Sequence, residues 1–303
     1  MAAMADNIQL LFGAPLLIVQ LLLDGILIGA IFAVAAYGMA LVWGVMNVIN
    51  IVQGEYVMLG GFIAFQLTLW DMNPFLGVPV AALVLFVIGI AVYYAIIRRV
   101  VDKDMFISLL ATFGLSILMQ QLMNQIWGSQ VRTVQSGLTT WFLFDYQVTV
   151  AQVKIVAFVG ALLIGALLIF FLKRTRLGQA IRATAQNPRA ARVLGIDTDR
   201  VFAATYGINA ALCGAAGAFV VMAYSVHPYT GLPFTVRSFM IVVVAGLGNL
   251  PGVILAGLGL GASETMAGFI LGVQFQVAFV FCLLVAILVL RNTLLGRKRR
   301  YLK

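Results

Sequence analysis

The chain has 303 residues, 63% of them apolar and only 10% charged, with a formal net charge of +9. A soluble domain is typically about 45–50% apolar and about 25% charged, so a water-soluble globule is excluded. The positive charge does not imply nucleic acid: Lys and Arg sit at the ends of apolar segments, where they orient spans and meet anionic headgroups.

A hydrocarbon span needs roughly 20 mostly apolar residues. The expected fold is therefore an all-α polytopic transmembrane helix bundle, a single domain over 1–303 with about eight to ten spans or half-spans. The start MAAMADNIQL lacks the basic n-region of a cleavable signal, so the first apolar segment is expected to stay in the mature protein. Apolar segments are predicted at about 8–30, 31–46, 51–70, 78–97, 106–127, 153–172 and 201–224, followed by a long apolar region over 238–290.

Polar residues interrupt this pattern first in GVMNVINIVQGEYVMLGG, residues 44–61. A charge inside a span costs at least about 2.5–3.5 kcal/mol and usually faces a cavity or a partner. Asn47, Asn50, Gln53 and Glu55 are therefore candidates for the lining of a translocation path, and in a helix Asn47, Asn50 and Gly54 would share one stripe. For Glu55 the alternative is interhelical hydrogen bonding. Asp24 and Glu264 lie nearer segment ends, where headgroup or capping contacts are expected.

Basic residues cluster at Arg98, Arg99 and Lys103, at Lys173–Arg200, and at Arg291–Lys303; these hold 16 of the 19. The positive-inside rule places all three clusters in the cytoplasm. The stretch 128–152, with Trp141, Phe142 and Phe144, and the stretch 225–234 are then external and interfacial.

The segment KRTRLGQAIRATAQNPRAARVLGIDTDRV carries strong punctuation. Asn187 suits an N-cap, Pro188 the first helical position and Gly195 a left-handed stop, so a short helix is predicted over 188–194. Ala190, Val193 and Leu194 share one face of it, with Arg189 and Arg192 on another. Upstream, Leu177, Ala180, Ile181 and Thr184 follow the same period beside Arg182, and Asp197 caps the next span with Asp199 in its first turn. Two punctuated amphipathic helices favour docking on a second protein over contact with anionic lipid.

With Arg237 outside and Arg291 inside, three crossings of only about 18 residues each fit between them. Gly246, Gly248, Asn249, Pro251 and Gly252 supply a broken helix. Close packing through Gly248/Gly252 and Gly257/Gly261 is favoured there over substrate contact. The polar interruptions at 44–61 and 245–261 also hint at an inverted repeat.

No phosphate loop of the form GxxxxGK[ST] occurs, nor any HExxH, GxSxG or CxxC pattern. GLGNLPG lies in an apolar region, without the strand that a dinucleotide fingerprint follows. The single histidine, His227, gives no histidine-based metal site, and Cys213 and Cys282 read as packing residues. An enzyme is disfavoured; a gradient-driven secondary carrier using Glu55 as its coupling acid remains an alternative.

Three stretches carry a resemblance: YGMALVWGVMNVINIVQGEYVMLGGF (37–62), RTRLGQAIRATAQNPRAARVLGIDTDRV (174–201) and VVVAGLGNLPGVILAGLGLGASE (242–264). The chain resembles the permeases of branched-chain amino acid ABC importers of the LivH type over nearly its whole length. The resemblance implies an ABC importer permease in the bacterial inner membrane that moves leucine, isoleucine and valine by ATP-driven alternating access. It implies a homologous second permease subunit, two cytoplasmic ABC ATPase subunits and a periplasmic substrate-binding protein. ATP and Mg would be bound by the ATPases, with no cofactor in this chain. The segment 173–200 would be the coupling loop, with Arg182, Asn187, Pro188, Arg189, Arg192 and Gly195 at the ATPase. Related permeases carry urea, short amides or aromatic acids, which stand as alternative cargo.

Overall fold

Where two N-terminal segments are expected, one helix forms. The computed structural model describes residues 7, 9–11, 13–101, 103–143, 148–246 and 248–300, and α1 runs unbroken over Pro15–Met46. Nothing in GILIGAIFAVAAYG can stop a helix: no proline occurs, and no side chain competes for backbone hydrogen bonds. At 1.5 Å per residue α1 is about 48 Å long, more than one hydrocarbon thickness.

The chain continues through α2 (Gln53–Leu69), α3 (Gly77–Ala95), α4 (Met105–Trp127), α5 (Gln152–Arg174), α6 (Arg176–Gln186) and α7 (Pro188–Val193). It ends with α8 (Thr198–Ala223), α9 (Gly231–Ala245), α10 (Leu250–Leu271) and α11 (Gln276–Arg300). Seven helices among the described residues are long and apolar enough to cross a membrane, while α2 and α9 span only 17 and 15 residues. The result is an all-α, multi-pass bundle. The stretch 128–152, expected as a loop, holds a hairpin of β1 (Thr140–Leu143) and β2 (Val148–Ala151), antiparallel with Thr140 opposite Ala151. Trp141 and Phe142 are exposed on it, while Phe144 lies outside the described residues.

One pattern occurs twice. A long helix, an irregular link, a short helix and two further helices make up α1–α4, and the same order makes up α8–α11. The contacts obey the same exchange. α3 lies antiparallel on α8, Gly89 meeting Gly207 and Ala210 while Gly214 meets Ala81; α10 lies antiparallel on α1, Gly257 meeting Gly29 while Gly261 meets Gly25. The short helices run parallel to the long helix of the other half: Gly60 and Gly61 of α2 meet Gly214 and Gly217 of α8, and Phe234 and Phe239 of α9 meet Phe32 and Trp43 of α1. Small residues let the backbones approach, which is how helices gain dispersion energy where lipid offers no hydrophobic drive. α1 and α8 themselves are antiparallel, Gly38 against Asn209, so the repeat is inverted. Its matching links are 47–52 and 224–230; the expected pairing of 44–61 with 245–261 is thus displaced in its second member.

Two expectations about charge are corrected. Arg237, expected outside, lies in mid-α9 with its side chain 13% exposed. It forms a forked ion pair with Glu264 of α10, its Nε 3.0 and 2.9 Å from the two carboxylate oxygens, between the rings of Phe32 and Phe234. Asp24 receives Lys154 Nζ at 2.8 Å, and that ammonium also lies 5.9 Å from the Tyr224 ring centroid. Both acids, expected at headgroups or caps, are instead paired across helices, because an unpaired carboxylate so far inside the bundle would have no compensation.

Candidate functional site

The first interruption builds the centre of the molecule. Asn47 ends α1 in the left-handed region at φ 53°, a conformation that asparagine tolerates, and 47–52 is irregular until α2 begins at Gln53. The expected stripe of Asn47, Asn50 and Gly54 on one helix therefore does not form, and Asn47 is exposed while Asn50, Gln53 and Glu55 are buried. A break of this kind leaves backbone groups without partners, and side chains replace them. Thr112 Oγ1 of α4 donates to Ile49 O at 3.1 Å and lies 3.3 Å from Ile51 N; Thr235 Oγ1 of α9 donates to Ile51 O at 2.9 Å and accepts from Gly54 N at 2.8 Å. Gln53 Nε2 donates to Ala35 O at 2.7 Å, and Asn50 Nδ2 to Gln53 Oε1 at 3.1 Å. Tyr206 OH donates to Asn50 Oδ1, and Tyr56 OH to Tyr206 OH, each at 3.3 Å.

Here the first turns of α2 and α9 abut. A methyl group on Gly54 would overlap the carbonyl of Gly231, and one on Gly231 would overlap the Glu55 carboxylate. Glu55 is 1% exposed. Its Oε1 accepts from Ser116 Oγ at 3.0 Å and from Gln120 Nε2 at 2.8 Å, both on α4. Its Oε2 has no hydrogen-bond partner among the described residues. Three of the four candidates therefore converge on this junction. Thr112, Ser116 and Gln120 were not singled out from sequence, although polar residues at i, i+4 and i+8 in an apolar helix mark one face turned toward polar company.

The second expected break is present. α9 ends at Ala245, Gly246 and Gly248 have φ of 84° and 83°, and α10 starts with Asn249 Oδ1 accepting from Gly252 N at 3.1 Å and Pro251 in its first turn. Of the two expected small-residue pairs, Gly257 and Gly261 pack against α1. Nothing lies within 4 Å of a methyl placed on Gly248, and a methyl on Gly252 would meet its own cap, Asn249. This break is far in sequence from Glu55, and its cap, Asn249, bonds within its own stretch, to Ala245 O and Gly252 N.

The basic segment folds as its punctuation predicts. Asn187 Oδ1 accepts from Arg189 N and Ala190 N at 3.0 and 3.1 Å, Pro188 opens α7, and Gly195 turns at φ 82°. Ile181 and Thr184 of α6 are buried, while Leu177, Arg182 and Arg189 are exposed. Ala190, Val193 and Leu194 are exposed too, the last two by 87% and 78%. The segment is nonetheless anchored. Asp197 Oδ1 caps α8 at Arg200 N, Arg192 Nε donates to Thr198 Oγ1 at 2.7 Å, and Asp199 accepts from Tyr93 OH at 2.7 Å and pairs with Arg98 at 3.1 Å. Tyr93, Arg98, Arg192, Asp197, Thr198 and Asp199 line a cavity of about 400 Å³ between α7 and the ends of α3 and α8.

A bundle of membrane-length helices in inverted halves, with two short helices starting inside it, is a multi-pass membrane permease. The fold is similar to a chain in the solved structure of PsaBC from Streptococcus pneumoniae in complex with Fab, at TM-score 0.51 and 12% identity, over 93% of this chain and 94% of that one. The chain belongs to the family described as the branched-chain amino acid transport system permease component, whose model matches residues 21–290. It is 32% identical over 293 residues to the high-affinity branched-chain amino acid transport system permease protein BraD of Pseudomonas aeruginosa, covering 92% of this chain and 95% of that protein. It is 28% identical over 294 residues to LivH of Escherichia coli, with the same shares covered. It is 27% identical to the probable LivH of Methanocaldococcus jannaschii, over 91% of this chain and 90% of that protein. The chain is a transport subunit rather than an enzyme, and the readings as a lone gradient-driven carrier or a membrane-embedded enzyme are set aside.

Proposed function

We propose that this chain is one permease subunit of an ABC importer for branched-chain amino acids in the bacterial inner membrane. It pairs with a homologous second permease, receives cargo from a periplasmic binding protein, and is driven by two cytoplasmic ATPases that bind ATP and Mg. The three basic clusters lie on the cytoplasmic side and the β hairpin outside, in keeping with the positive-inside rule. Asn47, Asn50, Gln53 and Glu55 belong to the path, and the broken stretch of Gly246, Gly248, Asn249, Pro251 and Gly252 gives α9 and α10 room to move against each other.

The observation that carries the reading is the tip of α7. Val193 and Leu194 stand exposed on a capped helix at the basic end, beside Arg189, where no lipid tail covers apolar surface. Such a pair seeks a protein groove; the bond of Arg192 to Thr198 carries a push on α7 into α8, and the ties of Asp199 to Tyr93 and Arg98 pass it on to the end of α3. Cargo class follows the names of the relatives.

The test uses the complete complex in liposomes. Arg189→Ala, Arg192→Ala and Gly195→Ala are each expected to lower leucine uptake about tenfold, the scale of a 1–3 kcal/mol coupling, and to cut substrate-stimulated ATP hydrolysis, while membrane insertion is unchanged. Unaltered stimulation in all three variants rejects the lever.

A further inference from the structure

Glu55 is an acceptor with an unfilled position. One oxygen is held by Ser116 and Gln120, so the carboxylate is fixed from the α4 side. The other, Oε2, is buried with no hydrogen-bond partner among the described residues and faces the start of α9 at Gly231. A buried carboxylate oxygen with no partner in the protein is costly to desolvate, so a polar partner from outside the chain, a water or a ligand, is called for at that position. Beside it, the first turn of α9 carries no side-chain cap from Thr230, and because Pro233 has no amide proton, it is the amides of Gly231 and Leu232 that offer partial positive charge. A negative oxygen and a positive helix end side by side match a ligand that is itself a zwitterion.

We propose that Glu55 Oε2 is the receptor for the ammonium group of an α-amino acid passing through the chain, with the first turn of α9 receiving its carboxylate. The inference rests on the amino-acid cargo reading above. In the described conformation Gly231 closes the position, and separation of the first turns of α2 and α9 opens it. Glu55 therefore selects for an amine, a discrimination that an apolar pocket cannot supply by shape alone, because leucine and its deaminated analogue share the same hydrocarbon.

The complete importer complex in nanodiscs is treated with a carbodiimide and glycine ethyl ester, and the adduct at Glu55 is quantified by peptide mass spectrometry. Leucine at millimolar concentration is expected to suppress the adduct, and 4-methylpentanoate, which lacks the amine, to leave it unchanged. In parallel, Glu55→Gln keeps one oxygen for Ser116 and Gln120 but removes the charge. It is expected to reduce leucine uptake by about tenfold or more, the effect of losing one hydrogen bond to a charged group, in a complex that assembles normally. Equal labelling with and without leucine, equal protection by 4-methylpentanoate, no labelling under any condition, or full uptake by Glu55→Gln each overturns the ammonium site. A wild-type complex that imports no leucine overturns the cargo reading instead.

Discussion

Gly54→Ala is expected to abolish uptake and to lower the melting temperature of the purified protein, although it adds a single methyl group. The added carbon would overlap the main-chain carbonyl of Gly231 and crowd Thr235 Oγ1. Overpacking typically costs about 1–3 kcal/mol when side chains can shift. Here the obstacle is backbone, so relief requires α9 to move away from α2, breaking the bonds of Thr235 to Gly54 N and Ile51 O. Gly44→Ala in α1 and Gly259→Ala in α10 are the controls, since nothing lies within 4 Å of either added carbon. They should be neutral or stabilising by up to about 1 kcal/mol, the helix preference of Ala over Gly. Melting in detergent and uptake in liposomes separate the three variants.

Arg237→Ala is expected to be the most destabilising single change among the ion pairs of the described residues. It leaves Glu264, with a side chain 6% exposed, without its forked partner. Breaking a buried pair from one side costs about 3–5 kcal/mol, because a desolvated charge is stranded. It also removes the cation from between Phe32 and Phe234. Replacing both partners with apolar residues, Arg237→Met with Glu264→Leu, should restore most of the lost stability, since the desolvation penalty goes with the charges. A double-mutant cycle on melting temperature measures the coupling, and additive losses would show that the pair contributes little.

The legible parts of this protein were those written in local chemistry. Asn187-Pro188 and Gly195 specify a capped, stopped helix whatever surrounds them, and α7 lies within one residue of its expected bounds. Asp197 and Asn249 cap as their residue types dictate. The membrane class follows from composition alone, but the division of 8–46 into two segments failed, because hydropathy counts spans by length and α1 exceeds one. Asn47, Asn50, Gln53 and Glu55 stood out as polar residues in apolar sequence, yet the expected stripe of Asn47, Asn50 and Gly54 does not form. Whether such residues line a helix or replace missing backbone bonds depends on Thr112 and Thr235, which lie far away in the chain. Arg237 was misplaced for a related reason: a charge marks a membrane boundary only if no partner waits inside, and Glu264 is 27 residues further on.

The exchange of α1–α4 for α8–α11 has a thermodynamic corollary. A scaffold whose two halves repeat one order of helices in opposite directions offers related packing whether its central seam parts toward one compartment or the other. On the proposed function, the direction of flow must then come from what is laid over that repeat: among the described residues the hairpin β1–β2 and the basic helices α6 and α7 lie between the two halves and belong to neither.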